Sequence, residues 1–243
     1  MVTRPARPAV PIDTDPGLTP VGKLPGVGPA LVASLARLGL ERVQDLWFHL
    51  PLRYEDKTRV TPIADLRPGD RAQVEGVVEA VERGFRYRPQ LKVAIGDDSR
   101  QTLMLRFFHF NRAQAEQLRP GTRLLCYGEV RYAAQGLEMV HPNYQRLSVD
   151  AAASVDELLT PVYPATEGLG PKRLAGVIGK ALEQLPPDAQ LELIPPELCA
   201  AHGLTSLRDA LLYVHRPPPD AAIGQLMLGR HPAQQRLAFE ELL

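Results

Sequence analysis

Two cysteines in 243 residues, Cys126 and Cys199, are too few and too widely spaced for a disulfide framework or a zinc site. Their scarcity excludes the disulfide-rich secreted scaffolds and fits a reducing cytoplasm. No apolar run approaches the roughly 18 residues of a membrane span, and the opening Val2-Thr3-Arg4-Pro5-Ala6-Arg7-Pro8 lacks the apolar core of a secretory leader. Net charge is missing too: 28 Lys and Arg balance 28 Asp and Glu. A uniformly basic coat for nucleic acid is therefore excluded. Aromatic residues make up only 6% of the chain, so a cluster of them calls for a reason.

Signatures of catalysis are equally thin. Gly176-Val177-Ile178-Gly179-Lys180-Ala181 has the glycines and lysine of a phosphate-binding loop, but the spacing is short and Ala181 stands where a hydroxyl would hold magnesium. An amphipathic helix with a surface lysine explains it better. The six histidines, at 49, 109, 141, 202, 215 and 231, have no acid or nucleophile at motif spacing, and Asp97-Asp98 reads as a turn after a strand. Neither catalytic residues nor metal ligands are expected in this chain.

The aromatics that are present concentrate in Leu103-Met104-Leu105-Arg106-Phe107-Phe108-His109-Phe110-Asn111-Arg112. At the two-residue period of a strand, Leu103, Leu105 and Phe107 share one face, while Met104, Arg106 and Phe108 share the other. The first set can fill a core. Leaving Phe108 in solvent forgoes roughly 2 kcal/mol of burial, so its ring needs a covering element or a flat, anionic ligand such as a nucleic-acid strand. A second mixture of cations and rings, Arg83-Gly84-Phe85-Arg86-Tyr87-Arg88-Pro89, lies just upstream. It reads either as a phosphate- and base-binding loop or as a hairpin whose rings pack across strands. From residue 82 to 132 there are ten Arg and Lys against five Asp and Glu, which marks one local anionic site or a solvated face.

Prolines at 5, 8, 11, 16 and 20 with few large apolar residues predict a flexible tail over 1–22. Residues 23–66 hold two short helices, one through Leu31, Leu35 and Leu38 with Gly39 as its stop, the other through Val43, Leu46 and Trp47. The Gly26-Val27-Gly28 turn ahead of the first resembles a helix-hairpin-helix element, so Gly26 and Gly28 are candidate phosphate contacts; glycines serving only a tight turn remain an equal alternative. Strands are predicted at 72–81, 91–95, 102–108, 123–131 and 137–147, with a helix at 111–118 between the third and fourth. That order predicts an α+β chain whose 67–149 segment is a five-stranded OB-fold, a Greek-key β-barrel. Such barrels bind single strands or oligosaccharides, or dock proteins, and the fold alone does not choose. Residues 150–243 read as a helical linker with helices at 172–184, 196–202, 206–214 and from about 233, the last running into the end of the sequence without a stop signal.

Seven blocks occur in one order: Leu24-Pro25-Gly26-Val27-Gly28-Pro29, Asp45-Leu46-Trp47-Phe48-His49-Leu50-Pro51-Leu52-Arg53-Tyr54-Glu55-Asp56, Arg106-Phe107-Phe108-His109-Phe110, Tyr127-Gly128-Glu129-Val130, Met139-Val140-His141-Pro142, Leu159-Thr160-Pro161-Val162-Tyr163-Pro164, and Arg236-Leu237-Ala238-Phe239-Glu240-Glu241-Leu242. Through them residues 20–243 resemble the N-terminal, non-motor part of the RecG family of bacterial branched-DNA helicases. The resemblance implies that the barrel is that family's wedge, which sits at the fork point and parts the strands. It puts the family's stacking ring on Phe108 and replaces a second aromatic, used by some relatives, with Arg112. As site residues it favours Phe108, Arg106 and Arg112, with Phe85, Arg86, Tyr87 and Arg88 behind them. As partners it implies forked or junction DNA, the helicase motor of the parent chain, and a single-strand-binding protein, in a bacterial cytoplasm near the nucleoid and away from membranes. ATP and magnesium would belong to a motor beyond Leu243, with no cofactor in these residues. A docking module without DNA specificity is the rival reading.

Overall fold

The computed structural model describes residues 15–84, 89–148 and 155–241. The chain is α+β and divides into two units, Met1–Tyr54 with Pro161–Leu243, and Glu55–Thr160. The helices are α1 Pro29–Ala36, α2 Val43–Trp47, α3 Arg112–Gln117, α4 Pro171–Leu182, α5 Asp188–Leu191, α6 Pro196–Ala201, α7 Leu207–His215, α8 Ile223–Met227 and α9 Pro232–Glu241. The strands are β1 Arg53–Glu55, β2 Arg71–Gly84, β3 Gln90–Gly96, β4 Thr102–Phe107, β5 Arg123–Ala133, β6 Gly136–Val140, β7 Asn143–Leu147 and β8 Thr160–Val162.

In the helical unit, α1 opens on Pro29, whose missing N–H costs nothing at a first helical position, and the chain turns away at Gly39, where φ is +75°. Helix α4 places Leu174, Val177, Ile178, Ala181 and Leu182 on one face, the spacing of a core-facing stripe. These meet Leu31, Leu35, Val43 and Leu46 in one apolar cluster that also takes Leu207, Leu211 and Val214 from α7. Trp47 is 2% exposed, and its indole N–H donates to the Ala181 carbonyl at 2.7 Å. Below it lies a polar chain. His215 Nε2 bonds the Trp47 carbonyl at 2.8 Å, and His215 Nδ1 meets Tyr163 Oη at 2.9 Å. A carbonyl can only accept, so the imidazole proton sits on Nε2 and the tyrosine hydroxyl donates to Nδ1. Burial pushes the His215 pKa down to about 4, with the positive charges of its neighbours as smaller causes. At α9 the fully buried Arg236 holds Glu192 at 2.6 Å and Glu240 at 2.7 Å.

Two boundaries of the helical unit differ from the sequence reading. Residues 15–22 are not part of a tail: Pro16–Leu18 and Val21–Lys23 form single 3-10 turns, and Val21 is buried in the helical core. Composition hid this because one buried valine and the Val21 N–H bond to the Glu41 carbonyl suffice to anchor so short a stretch. The segment after 150 is not a free helical linker either, since from residue 161 it shares a core with residues 21–47. Residues 1–14 lie outside the described residues.

The second unit is a mixed sheet of six strands in the order β2-β3-β4-β6-β5-β7, with an additional β2–β5 pairing that joins the first strand to the fifth. Strand β2 makes this possible by serving two partners, β5 along Arg71 to Val77 and β3 along Val77 to Gly84. It must bend where it changes partner. The register shifts between Val78 and Ala80, and at Gly76 a side-chain carbon would press on the Gly96 carbonyl and Ile95 at 3.1 Å. The interior is filled by Val74, Val78, Leu91, Val93, Ile95, Leu103, Leu105, Phe107, Leu124, Val130 and Met139, with Ile63 and Leu66 from the preceding turn. Each such side chain contributes roughly 1.5–3 kcal/mol of burial. Residues 63 and 66 thus belong with the sheet, and the unit begins near residue 55 rather than 67.

The expected fifth strand, 137–147, is two strands. His141 adopts φ +48° and Pro142 has no N–H to give a ladder, so β6 stops and β7 resumes the antiparallel pairing with β5 one residue out of register, on the side of β5 away from β2. Asp97 behaves as the expected turn residue: it accepts N–H bonds from Ile63 and Ser99, which hold its carboxyl below the usual range although burial opposes them.

Candidate nucleic-acid interface

Strand β4 alternates as its sequence requires: Leu103 and Leu105 are fully buried, Phe107 is 2% exposed, and Met104 and Arg106 lie between solvent and core. Phe108 follows just past the last strand residue and is 38% exposed. Its surroundings come from β6. Because β6 runs parallel to β4 and sets Val140 beside Arg106, His141 arrives level with Phe107, and its ring lies against both Phe107 and Phe108. The His141 N–H donates to the Arg106 carbonyl at 2.8 Å, and the Phe108 N–H donates to His141 Nε2 at 3.2 Å. The two rings are 5.8 Å apart and tilted by 51°. On the same imidazole, His109 stacks at 5.8 Å and 21°, and the edge of Phe107 lies at 6.1 Å. An exposed phenyl ring with two imidazoles forms a π-surface at one end of the sheet, able to stack bases without reading their identity.

The cations around this surface are already engaged. Arg106 contacts Glu138 on β6 at 2.6 Å, with 24% and 12% of the side chains exposed. Arg112, the first residue of α3, pairs with Glu116 at 2.7 Å, but its side chain is 89% exposed. A solvated (i, i+4) pair is worth about 0.3–0.5 kcal/mol, so Arg112 is released to a phosphate far more cheaply than Arg106. Phe85, Arg86, Tyr87 and Arg88 lie outside the described residues. The strands on either side of them end with Gly84 opposite Gln90, and Leu91 opposite Phe107, at the same end of the sheet as Phe108.

In the helical unit Gly26 has φ +76° and Gly28 caps α1. The Val27 N–H is spent on the Leu24 carbonyl and Pro29 has none, so the turn offers fewer donors than its glycines promise. A cation sits there instead: Lys180 Nζ donates to the Pro25 carbonyl at 2.6 Å and would lie 3.1 Å from a side-chain carbon at Gly26. The segment from Gly176 to Ala181 is inside α4 with Val177, Ile178 and Ala181 buried, an arrangement that does not fit a nucleotide phosphate.

Sequence reasoning passed over His109 and His141. Their spacing carries no signal, since His141 reaches Phe108 only through the β4–β6 register. Among the described residues no group of three His, Cys, Asp or Glu could hold a metal ion, and no helix is long and apolar enough to cross a membrane. Cys126 is buried in the sheet, and burial pushes its thiol up to about 12.

A family model described as the RecG wedge domain matches residues 22–185. The ATP-dependent DNA helicase RecG of Pasteurella multocida (strain Pm70) is 44% identical over 224 residues, a match covering 92% of this chain and 32% of that protein. RecG of Escherichia coli (strain K12) matches at the same identity and coverage, and that of Acidithiobacillus ferridurans at 37% over 225 residues, covering 92% of this chain and 31% of that protein. The chain spans about a third of the length of these curated relatives. A solved structure of RecG bound to a three-way DNA junction aligns over 93% of this chain and 30% of its own, with a TM-score of 0.62 and 24% identity, a likeness of fold.

Proposed function

Because this chain belongs to the RecG wedge domain family, we propose that it is the branched-DNA-binding, strand-separating part of a longer ATP-dependent DNA helicase of repair and recombination. The pairing of β2 with β5 at one end of the order β2-β3-β4-β6-β5, and the position of α3 between β4 and β5 in the chain, support reading these five strands as an OB barrel. The observation that carries the reading is the exposed Phe108 ring backed by His141 and His109. At a fork or Holliday junction the last base pair has one face without a stacking neighbour, and a phenyl ring there stabilises the parted strands by roughly 1–3 kcal/mol per stacked base. Linear duplex has no such face along its length. Arg112 supplies a phosphate contact beside the ring, and the basic segment 85–88 a second. Lys180 with the turn at Gly26 and Gly28 is the candidate duplex contact of the helical unit.

Work is not asked of these residues. ATP and magnesium are assigned to motor domains of the same parent chain, and the wedge contributes position and stacking. The test is a salt titration by fluorescence anisotropy with a three-way fork, a duplex and a single strand of matched length. Preference for the fork that survives rising salt supports the wedge. Equal and steeply salt-sensitive binding to all three reduces the site to a basic surface, and binding to none favours a protein-docking barrel.

A further inference from the structure

Charged side chains run across the outer face of the sheet in alternation. Lys92 on β3 reaches Glu82 at 3.4 Å and lies opposite Arg106 on β4. Arg106 contacts Glu138 on β6, which lies opposite Arg131 on β5. Arg131 and Arg71 share Glu129 at 3.2 and 3.7 Å, and the two arginines hold its carboxyl below the usual range. Three carboxylates thus cover four cations on the face that ends at Phe108.

The members of this belt are not equivalent. Glu82, Glu129, Arg131 and Arg71 are solvated, and solvated pairs contribute little and exchange readily with phosphate. Glu138 is the exception: it is the least exposed carboxylate of the belt and makes its shortest contact, to the arginine two residues before Phe108. The shape of the backbone fixes this pairing, since Arg106 and Glu138 sit on adjacent parallel strands with Arg106 beside Val140.

We propose that Glu138 is a specificity-determining residue of the wedge, one that withholds Arg106 from the phosphates of linear DNA. Phosphate contacts are blind to branching. On linear duplex the register is free, so an unshielded guanidinium finds a phosphate at every position. At a fork the stacked ring pins the register, and Arg106 gains a phosphate only where one falls. Neutralising Arg106 therefore lowers affinity for duplex more than for forks, and the Glu138 charge adds direct repulsion of any backbone lying across the sheet. The ring at Phe108 is left as the main source of affinity near the branch point.

The inference rests on the wedge reading, and the two fail differently. Anisotropy of the 243-residue chain is measured on fork and duplex between 50 and 200 mM salt. For Glu138→Gln one added phosphate contact steepens the loss of duplex affinity across this range by about 3.5-fold, the effect of a slope increment near 0.9 over a fourfold salt change. Duplex binding at 50 mM tightens and the fork-to-duplex ratio narrows, while Glu138→Asp retains the original ratio. The double variant Glu138→Gln/Arg106→Gln, which removes both charges and does not depend on the single variant folding, returns to the original duplex slope. A duplex slope in the double variant lower by about 0.9 means Arg106 already touches phosphate and overturns the inference. An unchanged slope and ratio in Glu138→Gln overturns it as well, with the wedge reading intact. Equal binding of fork and duplex by the unsubstituted chain removes both.

Discussion

Acidification should loosen the helical unit well before it touches the sheet. His215 is neutral in the fold, with its proton on Nε2 facing the Trp47 carbonyl, and burial depresses its pKa from 6.5 to about 4. In the unfolded chain the same imidazole titrates near 6.5. A base that protonates more easily when unfolded favours unfolding as protons are added, so its contribution is fully present above pH 6.5 and is lost as pH falls toward 4. By pH 4.5 the linkage amounts to about 2–3 kcal/mol. With a urea slope of about 1–3 kcal/mol/M, the midpoint should fall by about 1–2 M between pH 7.5 and 4.5. Trp47 is the chain's one tryptophan, is buried beside this histidine, and reports the helical unit directly by its emission. Asp97 belongs to the other unit, and its depressed carboxyl removes stability only below the usual carboxylate range, outside this window. The variant His215→Gln, which keeps an amide N–H for the Trp47 carbonyl but cannot titrate, should flatten most of the drop. Identical midpoints at pH 7.5 and 4.5, or an undiminished drop in the glutamine variant, would refute the argument.

Phe108→Ala should weaken fork binding about 5- to 150-fold, the value of one stacked base, and leave linear duplex within about twofold by anisotropy; equal losses on both would remove the ring from the fork. His141→Asn keeps a residue that tolerates φ +48° and loses the imidazole that accepts the Phe108 N–H, so fork affinity should fall while the melting temperature holds, whereas His141→Val should lower the melting temperature because a β-branched residue resists that backbone. Arg236→Ala leaves Glu192 and Glu240 facing each other without their shared cation and should cost about 3–5 kcal/mol, read as a lower urea midpoint of Trp47 fluorescence.

Local sequence pattern was enough to orient β4 and to find the ends of most elements. The alternation from Leu103 to Phe108 places one ring in the core and the next in solvent because a strand has no other choice. Helix α4 was legible from its stripe and its Pro171 start. What was not legible depends on which strands become neighbours. His141 and Glu138 are distant in sequence from β4, and no pattern of residue types says that β6 will lie parallel to it; only the register puts an imidazole under Phe108 and a carboxylate on Arg106. The prolines misled twice. In residues 15–22 they rigidify two short turns instead of marking a tail, and Pro142 divides a stretch whose composition reads as one strand. The edge between the 23–66 and 67–149 segments fell too late, because Ile63 and Leu66 before it are core residues of the sheet.

The helical unit is interrupted in sequence by Glu55–Thr160, and this has a bearing on synthesis. Trp47 leaves the ribosome 134 residues before the Ala181 carbonyl it bonds, a delay on the order of 10 s at usual elongation rates. During that interval the first two helices wait for the apolar faces of α4 and α7, while the sheet unit becomes complete in sequence at Thr160, before either of those helices is made. Once the sheet has formed, the strands that leave and re-enter the helical unit can pair, as the Leu52 N–H does with the Val162 carbonyl at 2.8 Å. A flexible loop of that length would cost about 4 kcal/mol to close. The folded sheet therefore acts on the helical unit as a covalent staple between its two halves would, and mutations that slow the sheet's folding should trap nascent chains with α1 and α2 exposed.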